Sequence, residues 1–278
     1  MTIGHAGSAP DTYPPTPTLG GVLDIPRSAR LAAWGTAWLQ GQASAAEVLR
    51  AVTGDDEPHV VESGEVMPAA ADLPGLLIAL KDAGVAALRV VLPVPGDPVG
   101  LPGPPGFNAT ALEAGECVLT AGRPAWGVVP DVAEFGSPWE PGWQVTWQLS
   151  AVAERRVPPS TGLAEAERAL KEGLLAATDA LDRLDVAALG PDAAERLQRM
   201  RSADLPAGAL PAGTPRRSLQ VLATAGRLRA VLSLAAEDDG AAVNAWQAGE
   251  RARTLRELDG ICRHAVVAAV NDPVDQRL

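Results

Sequence analysis

The stretch ERRVPPSTGL, residues 154–163, divides the sequence into two parts of different character. Before it, short segments alternate with proline, glycine and tryptophan; after it, long segments rich in Leu and Ala have the spacing of amphipathic helices. Mixed short elements predict an α+β domain, and long helices with short connections predict a bundle. We therefore predict an α+β protein with an N-terminal arm at 1–26, an α+β domain with a mainly antiparallel sheet at 27–158, and a C-terminal antiparallel helical bundle at 159–278.

The helices of the first part are predicted from their capping residues. Ser28 is predicted to cap a first helix, and Ser44 with Glu47 forms a capping box for a second. Asp72 is predicted to cap a third helix, which ends at Gly84. The apolar faces of the first and third helices are formed by Leu31, Trp34, Trp38, Leu76, Leu77 and Leu80.

Five strands are predicted in the same part, at 59–62, 87–94, 115–120, 125–129 and 142–152. Residues 121–124 are predicted to join the third and fourth strands as a hairpin. In the last strand, period-two alternation places Trp143, Val145, Trp147, Leu149 and Ala151 on one face. In the second part, helices are predicted over 160–188, 217–237 and a segment that ends near 271, with a short helix from Asp192.

The charge distribution argues against several classes of partner. The formal net charge is −11, of which −9 falls in residues 1–158 and −2 in residues 159–278. Nucleic acids and anionic membranes both require positive surface, so neither is a predicted partner. No apolar run reaches the length of a membrane span, and the first residues do not resemble a secretory leader, which predicts a cytoplasmic protein.

Residues 93–108 form the most unusual segment, because ten of its sixteen residues are proline or glycine. Prolines between the glycines remove the backbone N–H donors that a phosphate loop needs. The segment is predicted to be a stiff, extended loop with polyproline character. It either covers an apolar groove or presents Asp97 and Asn108 to a ligand, with Leu101 and Phe107 as its apolar contacts.

No catalytic, metal or phosphate motif is complete in this sequence. Glu113 and Glu116, with Asp97, offer paired carboxylates for acid–base chemistry or Mg²⁺, but solvated surface acids are the favoured interpretation. Three histidines and two distant cysteines do not have the spacing of a zinc site. We therefore predict no catalytic residue, no metal and no cofactor.

The C-terminal helices carry an arginine strip that is a further candidate. If the last two helices pack antiparallel, the strip offers a surface for a phosphate, a carboxylate or an acidic partner. Acidic residues are interleaved with it, so a salt-bridged solvent face is the favoured interpretation. The strip consists of Arg227, Arg229, Arg251, Arg253 and Arg256, with Arg263 further along.

The run LRVVLPVPGDP at 88–98, followed by LPGP at 101–104 and ALEAGE at 111–116, resembles a group of uncharacterised actinobacterial proteins. The group has no known activity, so the resemblance does not indicate an activity, a cofactor or a catalytic residue for this chain. It marks residues 88–116 as the identifying region of the group.

The favoured function is that of a non-catalytic interaction or regulatory protein, whose partner is another protein or a second copy of the chain. The first alternative is a small-molecule-binding protein or enzyme with a site beside the 93–108 loop. The second is nucleotide or nucleic-acid contact through the arginine strip. The predicted binding residues are Arg89, Asp97, Leu101, Phe107, Asn108, Glu113 and Glu116.

Overall fold

The structure is a computed structural model, and it describes residues 23–54, 56, 58–64, 66–67, 70–137, 140–154, 161–183, 195, 198–199, 202–237 and 245–276. The short helix predicted from Asp192 and most of the predicted N-terminal arm lie outside these ranges. Within the described end of that arm, Leu23 and Ile25 are buried.

Helices are interspersed with strands in the first part of the chain, as local caps and apolar spacing predict. The Ser44–Glu47 capping box forms, and the Asp72 side chain accepts a hydrogen bond from the N–H of Gly75. The elements are α1 (Arg27–Leu39), α2 (Ala45–Thr53), β1 (His59–Glu62), α3 (Leu73–Asp82), β2 (Leu88–Val91), α4 (Pro105–Ala114), β3 (Cys117–Thr120), β4 (Trp126–Ser137) and β5 (Glu140–Ala151).

The five strands form one sheet in the order β1-β5-β4-β3-β2. The pairs β2–β3, β3–β4 and β4–β5 are antiparallel, and β1–β5 is parallel. The mainly antiparallel sheet and the α+β class are therefore confirmed. The predicted hairpin at 121–124 connects β3 to β4.

The two faces of the sheet are covered by different helices. Val145, Trp147 and Leu149 of β5 face the main core, in which α1 and α3 contribute large apolar side chains. On the opposite face, Phe107 of α4 packs in a smaller cluster with Val129 of β4. The alternation predicted for β5 is thus the alternation that builds the core.

Three long helices follow the sheet: α5 (Leu163–Arg183), α6 (Arg216–Glu237) and α7 (Ala245–Asp275). They contact one another pairwise. Ser218 lies opposite Asp272 and Arg229 lies opposite Asp259, so α6 and α7 run antiparallel. None of the described helices has the length and apolarity to cross a bilayer.

The same buried cluster contains residues of the sheet and of the C-terminal helices, so the two parts share one core. The outer edge of β2 is covered by polar side chains of both α1 and α7. The Thr36 hydroxyl bonds both the N–H and the carbonyl of Leu88, at 2.8 and 3.2 Å. The Asn271 side chain does the same for Val90.

Three local predictions are wrong. The strand predicted at 125–129 continues to Ser137, because β4 pairs with β5 along its whole length. The first helix begins at Arg27 after Pro26, and Ser28 does not cap it. The segment 93–108 is not extended throughout, because α4 begins at Pro105. Proline at the first helical position needs no N–H partner and already has a helical φ, which explains why a proline pair starts a helix here.

Candidate functional site

The buried Arg263 of α7 binds the predicted loop. The Arg263 guanidinium donates to the carbonyl of Leu92 at 2.8 Å, to Asp97 Oδ2 at 3.1 Å and to Asp259 Oδ2 at 2.9 Å. Its side chain is only 6% exposed. Since a buried guanidinium must be hydrogen-bonded, these contacts brace the loop against the helix.

His264 meets the same carboxylate from a more exposed position. Its Nε2 lies 2.8 Å from Asp97 Oδ2, and its side chain is 46% exposed. A carboxylate that orients an imidazole is one half of an acid–base arrangement. No described nucleophilic side chain is hydrogen-bonded to His264, and the described residues contain no cluster of three possible metal ligands.

Most of the other predicted binding residues are used inside the protein. Arg89 forms an ion pair with Asp275 of α7. The Asn108 side chain accepts a hydrogen bond from the N–H of Gly103 at 2.8 Å, which holds the loop in its own turn. These polar groups are therefore engaged in folding contacts.

The remaining predicted residues divide between interior and surface. Phe107 is buried, Leu101 packs against its cluster, and Glu113 is exposed. Glu116 is buried, and its carboxylate accepts the N–H of Ser28 at 2.7 Å. A remote carboxylate thus takes the place of the predicted Ser28 cap at the positive end of α1. Phe107 and Glu116 offer no surface to a partner in this conformation.

The described arginines of the strip are hydrogen-bonded to neighbouring acids and backbone carbonyls. Arg229 pairs with Asp259 at 3.1 Å, and Arg253 pairs with Glu257 at 3.5 Å. Arg227 donates to the carbonyl of Ala203 at 2.7 Å, and Arg256 to that of Ala252 at 3.1 Å. The side chain of Arg251 lies outside the described atoms. These contacts agree with the salt-bridged solvent face.

A buried ion pair between Arg27, at the start of α1, and Asp56 was not predicted from the sequence. Arg27 donates through Nε to Asp56 Oδ2 at 2.7 Å and through Nη2 to Asp56 Oδ1 at 3.1 Å. Nearby, Trp147 Nε1 donates to His59 Nδ1 at 3.0 Å. Burial lowers the pKa of His59 to about 4, with a smaller opposing effect of the Asp56 carboxylate. The imidazole is therefore neutral at physiological pH.

Both cysteines are buried thiols. Burial raises the pKa of Cys262 to about 12, and burial with the nearby Glu116 charge raises the pKa of Cys117 further. Neither is a thiolate at neutral pH, so neither has the character of a catalytic nucleophile.

The β4–β5 hairpin extends beyond the sheet. β3 reaches only Gly127 and Val128 of β4, and β1 joins β5 from Val145 onward. Beyond these points, residues 133–137 and 140–144 pair with each other and with no other described strand. We call these two segments the hairpin arm. At about 3.4 Å per residue it projects roughly 15 Å.

Aromatic residues lie on both faces of the hairpin arm. Phe135 is 48% exposed, and its ring packs over Gly142, where an added Cβ would lie 2.6 Å away. On the other face, Glu134 lies directly opposite Trp143. Glu134 is exposed and Trp143 is partly exposed. An isolated two-stranded hairpin is marginally stable in water, so a projecting one with exposed aromatic rings suits a docking surface.

The fold and these surfaces define an α+β protein with a braced loop, a helical face that carries ion pairs, and a projecting hairpin arm. Two family models match the chain: the N-terminal domain of Rv1486c-like protein over residues 28–162, and its C-terminal domain over residues 164–267. The chain belongs to this Rv1486c-like family, which is uncharacterised, and the resemblance to an actinobacterial group is confirmed.

Curated relatives come from Mycobacterium tuberculosis. The uncharacterized protein Rv1486c of strain H37Rv is 29% identical over 287 residues, which covers 87% of this chain and 95% of the relative. The uncharacterized protein MT1533 of strain CDC 1551 has the same identity and coverage. No solved structure matches the chain.

Proposed function

We propose that this protein is a non-catalytic interaction or regulatory protein whose hairpin arm docks another protein. The observation that carries the proposal is the exposure of Phe135 on a two-stranded projection that no other described strand extends. Aromatic side chains provide much of the binding energy of protein interfaces, because they bury a large area at a small entropic cost.

The contacts made by the other candidate surfaces favour the hairpin arm as the docking surface. Asp97, Asn108 and Arg89 are engaged within the protein, and the described arginines of the strip are bonded to acids and carbonyls. On the hairpin arm, by contrast, Phe135 is exposed and Trp143 is partly exposed. The proposal places the protein in the cytoplasm, where the free Cys117 and Cys262 stay reduced.

The proposal is tested by affinity capture from the native cell extract with the full chain. The test variant is Phe135→Ser on the hairpin arm, and the control is Val99→Ser, which also replaces an exposed apolar side chain by serine, at a 64% exposed residue of the loop. We expect a stoichiometric partner that wild type and Val99→Ser retain and Phe135→Ser loses. Capture of no partner contradicts the proposal, and loss with Val99→Ser alone moves the contact to the loop.

A small-molecule site beside the loop is the second candidate, and the His264–Asp97 contact favours it. There, a half-exposed imidazole held by a carboxylate is available to a polar ligand. A ligand that binds the folded protein raises its melting temperature. The test is a thermal-shift screen of wild type against His264→Gln; a shift that both proteins share rejects a role for His264.

A further inference from the structure

The partner chemistry of the hairpin arm follows from the pair Glu134 and Trp143, an inference that rests on the proposed docking function. Directly opposed residues of an antiparallel pair alternate between hydrogen-bonded and non-hydrogen-bonded positions. The N–H of Val152 donates to the carbonyl of Ala125, which makes that pair hydrogen-bonded. Counting along the register places Glu134 and Trp143 in a non-hydrogen-bonded pair. In such pairs the two side chains lie closest together.

The bonding of the neighbouring strands agrees with this assignment. On β4, Val128 pairs with Val118 of β3. On β5, the N–H of Val145 donates to the carbonyl of Pro58, just before β1. Glu134 is an even number of residues from Val128, and Trp143 is an even number of residues from Val145. The backbone N–H and C=O groups of Glu134 and Trp143 therefore point away from the partner strand of the hairpin, and their side chains lie on the same face. The side chains of Glu134 and Trp143 are therefore cross-strand neighbours on one face of the hairpin arm.

The hairpin sequence around this pair contains one acid on the face of Trp143 and no base. Residues 131–144 contain no Lys, Arg or His, and Glu134 lies on the same face as Trp143, whereas Asp131 lies on the opposite face. Among the described side chains, none forms an ion pair with Glu134. The same fourteen residues contain three of the ten aromatic residues of the protein. A complementary surface is therefore cationic and able to stack on a ring.

We propose that Glu134 and Trp143 receive an arginine side chain of a partner protein. A guanidinium is planar and stacks on an indole face, while its N–H groups donate to a carboxylate at its edge. A lysine ammonium can also lie over an indole, but it has no planar group that stacks on the ring while a fork of N–H groups donates to the carboxylate, so arginine is preferred. The site thus selects an arginine-bearing segment of another protein.

The test uses the full chain and two capped peptides, Ac-Gly-Arg-Gly-Arg-Gly-Arg-Gly-NH2 and its lysine counterpart, in a titration by fluorescence anisotropy. We expect saturable binding, with the arginine peptide about fivefold tighter. Glu134→Gln and Trp143→Leu should each weaken the arginine peptide about tenfold. Asp131→Asn is the matched control: it removes the same charge from the opposite face of β4 and should change the affinity less than about twofold.

Three results overturn the proposal: no saturable binding, equal affinity for the two peptides, or equal weakening by Asp131→Asn and Glu134→Gln. If Trp143→Leu disturbs the hairpin, the nearly isosteric Glu134→Gln still decides the question. Sedimentation equilibrium of the wild type and Glu134→Gln tests a second copy as the source of arginine. If the wild type self-associates and Glu134→Gln does not, the arginine comes from a second copy of this chain, and the proposal of a different partner protein is wrong. A captured partner that depends on Phe135, without arginine preference, would leave the docking function standing and reject the arginine site alone.

Discussion

The side-chain amide of Asn271 pairs with the backbone of Val90 as a neighbouring strand would. Its Oδ1 accepts the N–H of Val90 at 2.9 Å, and its Nδ2 donates to the carbonyl of Val90 at 3.0 Å. Val90 belongs to β2, an edge strand of the sheet. Open strand edges promote aggregation, and here a helix side chain closes one. The contact explains how the C-terminal helices are fixed to the sheet.

Asn271→Leu removes both hydrogen bonds and leaves the backbone groups of Val90 buried without them. We expect a loss of about 1–3 kcal/mol in the free energy of unfolding, measured by urea denaturation. Gln220→Leu is the control, since it makes a similar change at an exposed position of α6. Equal stability of the two variants would show that the amide does not stabilise the junction.

The ion pair of Arg27 and Asp56 is buried, so breaking it is costly. Asp56→Ala takes two hydrogen-bond acceptors from a buried guanidinium, and we expect a loss of about 3 kcal/mol. Glu154→Ala, which breaks the exposed pair with Arg123, should cost less than about 1 kcal/mol. Thermal unfolding of both variants measures the two losses of stability. A similar small loss in each variant would contradict a stabilising role for the Arg27–Asp56 ion pair.

Gly127 is required because the ring of Phe107 lies against it. A Cβ at this position would lie 2.4 Å from the ring, in the cluster beneath α4. Gly127→Ala should therefore destabilise the protein by about 1–3 kcal/mol through overpacking. Combining it with Phe107→Leu should cost less than the sum of the two single losses, because the smaller side chain makes room. If the double variant loses the sum of the two single losses, the Phe107 ring is not the reason why position 127 requires glycine.

His59 gives the stability a specific dependence on pH. Its pKa is about 4 in the folded protein and ordinarily 6.5, so the unfolded chain takes up a proton that the folded protein does not. Stability should fall as the pH decreases from about 6.5 to about 4, and the part due to His59 should be absent in His59→Gln. Urea denaturation from pH 7 to pH 4.5 measures both slopes. Identical slopes in wild type and variant would contradict the assignment.

Local features of the fold could be predicted from the sequence because they depend on nearby residues. The Ser44–Glu47 capping box, the Asp72 cap and the inward face of Val145, Trp147 and Leu149 are such features. Each depends on a hydrogen bond or a side-chain period within a few residues of chain.

Contacts between distant segments could not be predicted in the same way. Glu116 caps α1 from 88 residues away, and Arg263 reaches Asp97 across 166 residues. The free length of the β4–β5 hairpin depends on where β1 and β3 stop pairing. These relationships arise from strand order and helix docking, which no local pattern encodes. The hairpin arm could therefore not be predicted from the sequence.

The most direct measurement of the central claim is photo-cross-linking in native cells with benzoylphenylalanine in place of Phe135. The same replacement at Val99, an exposed apolar position on the loop, is the matched control. We expect one discrete cross-linked adduct with another protein from position 135 and none from position 99. No adduct from position 135, or the same adducts from both positions, would contradict docking on the hairpin arm.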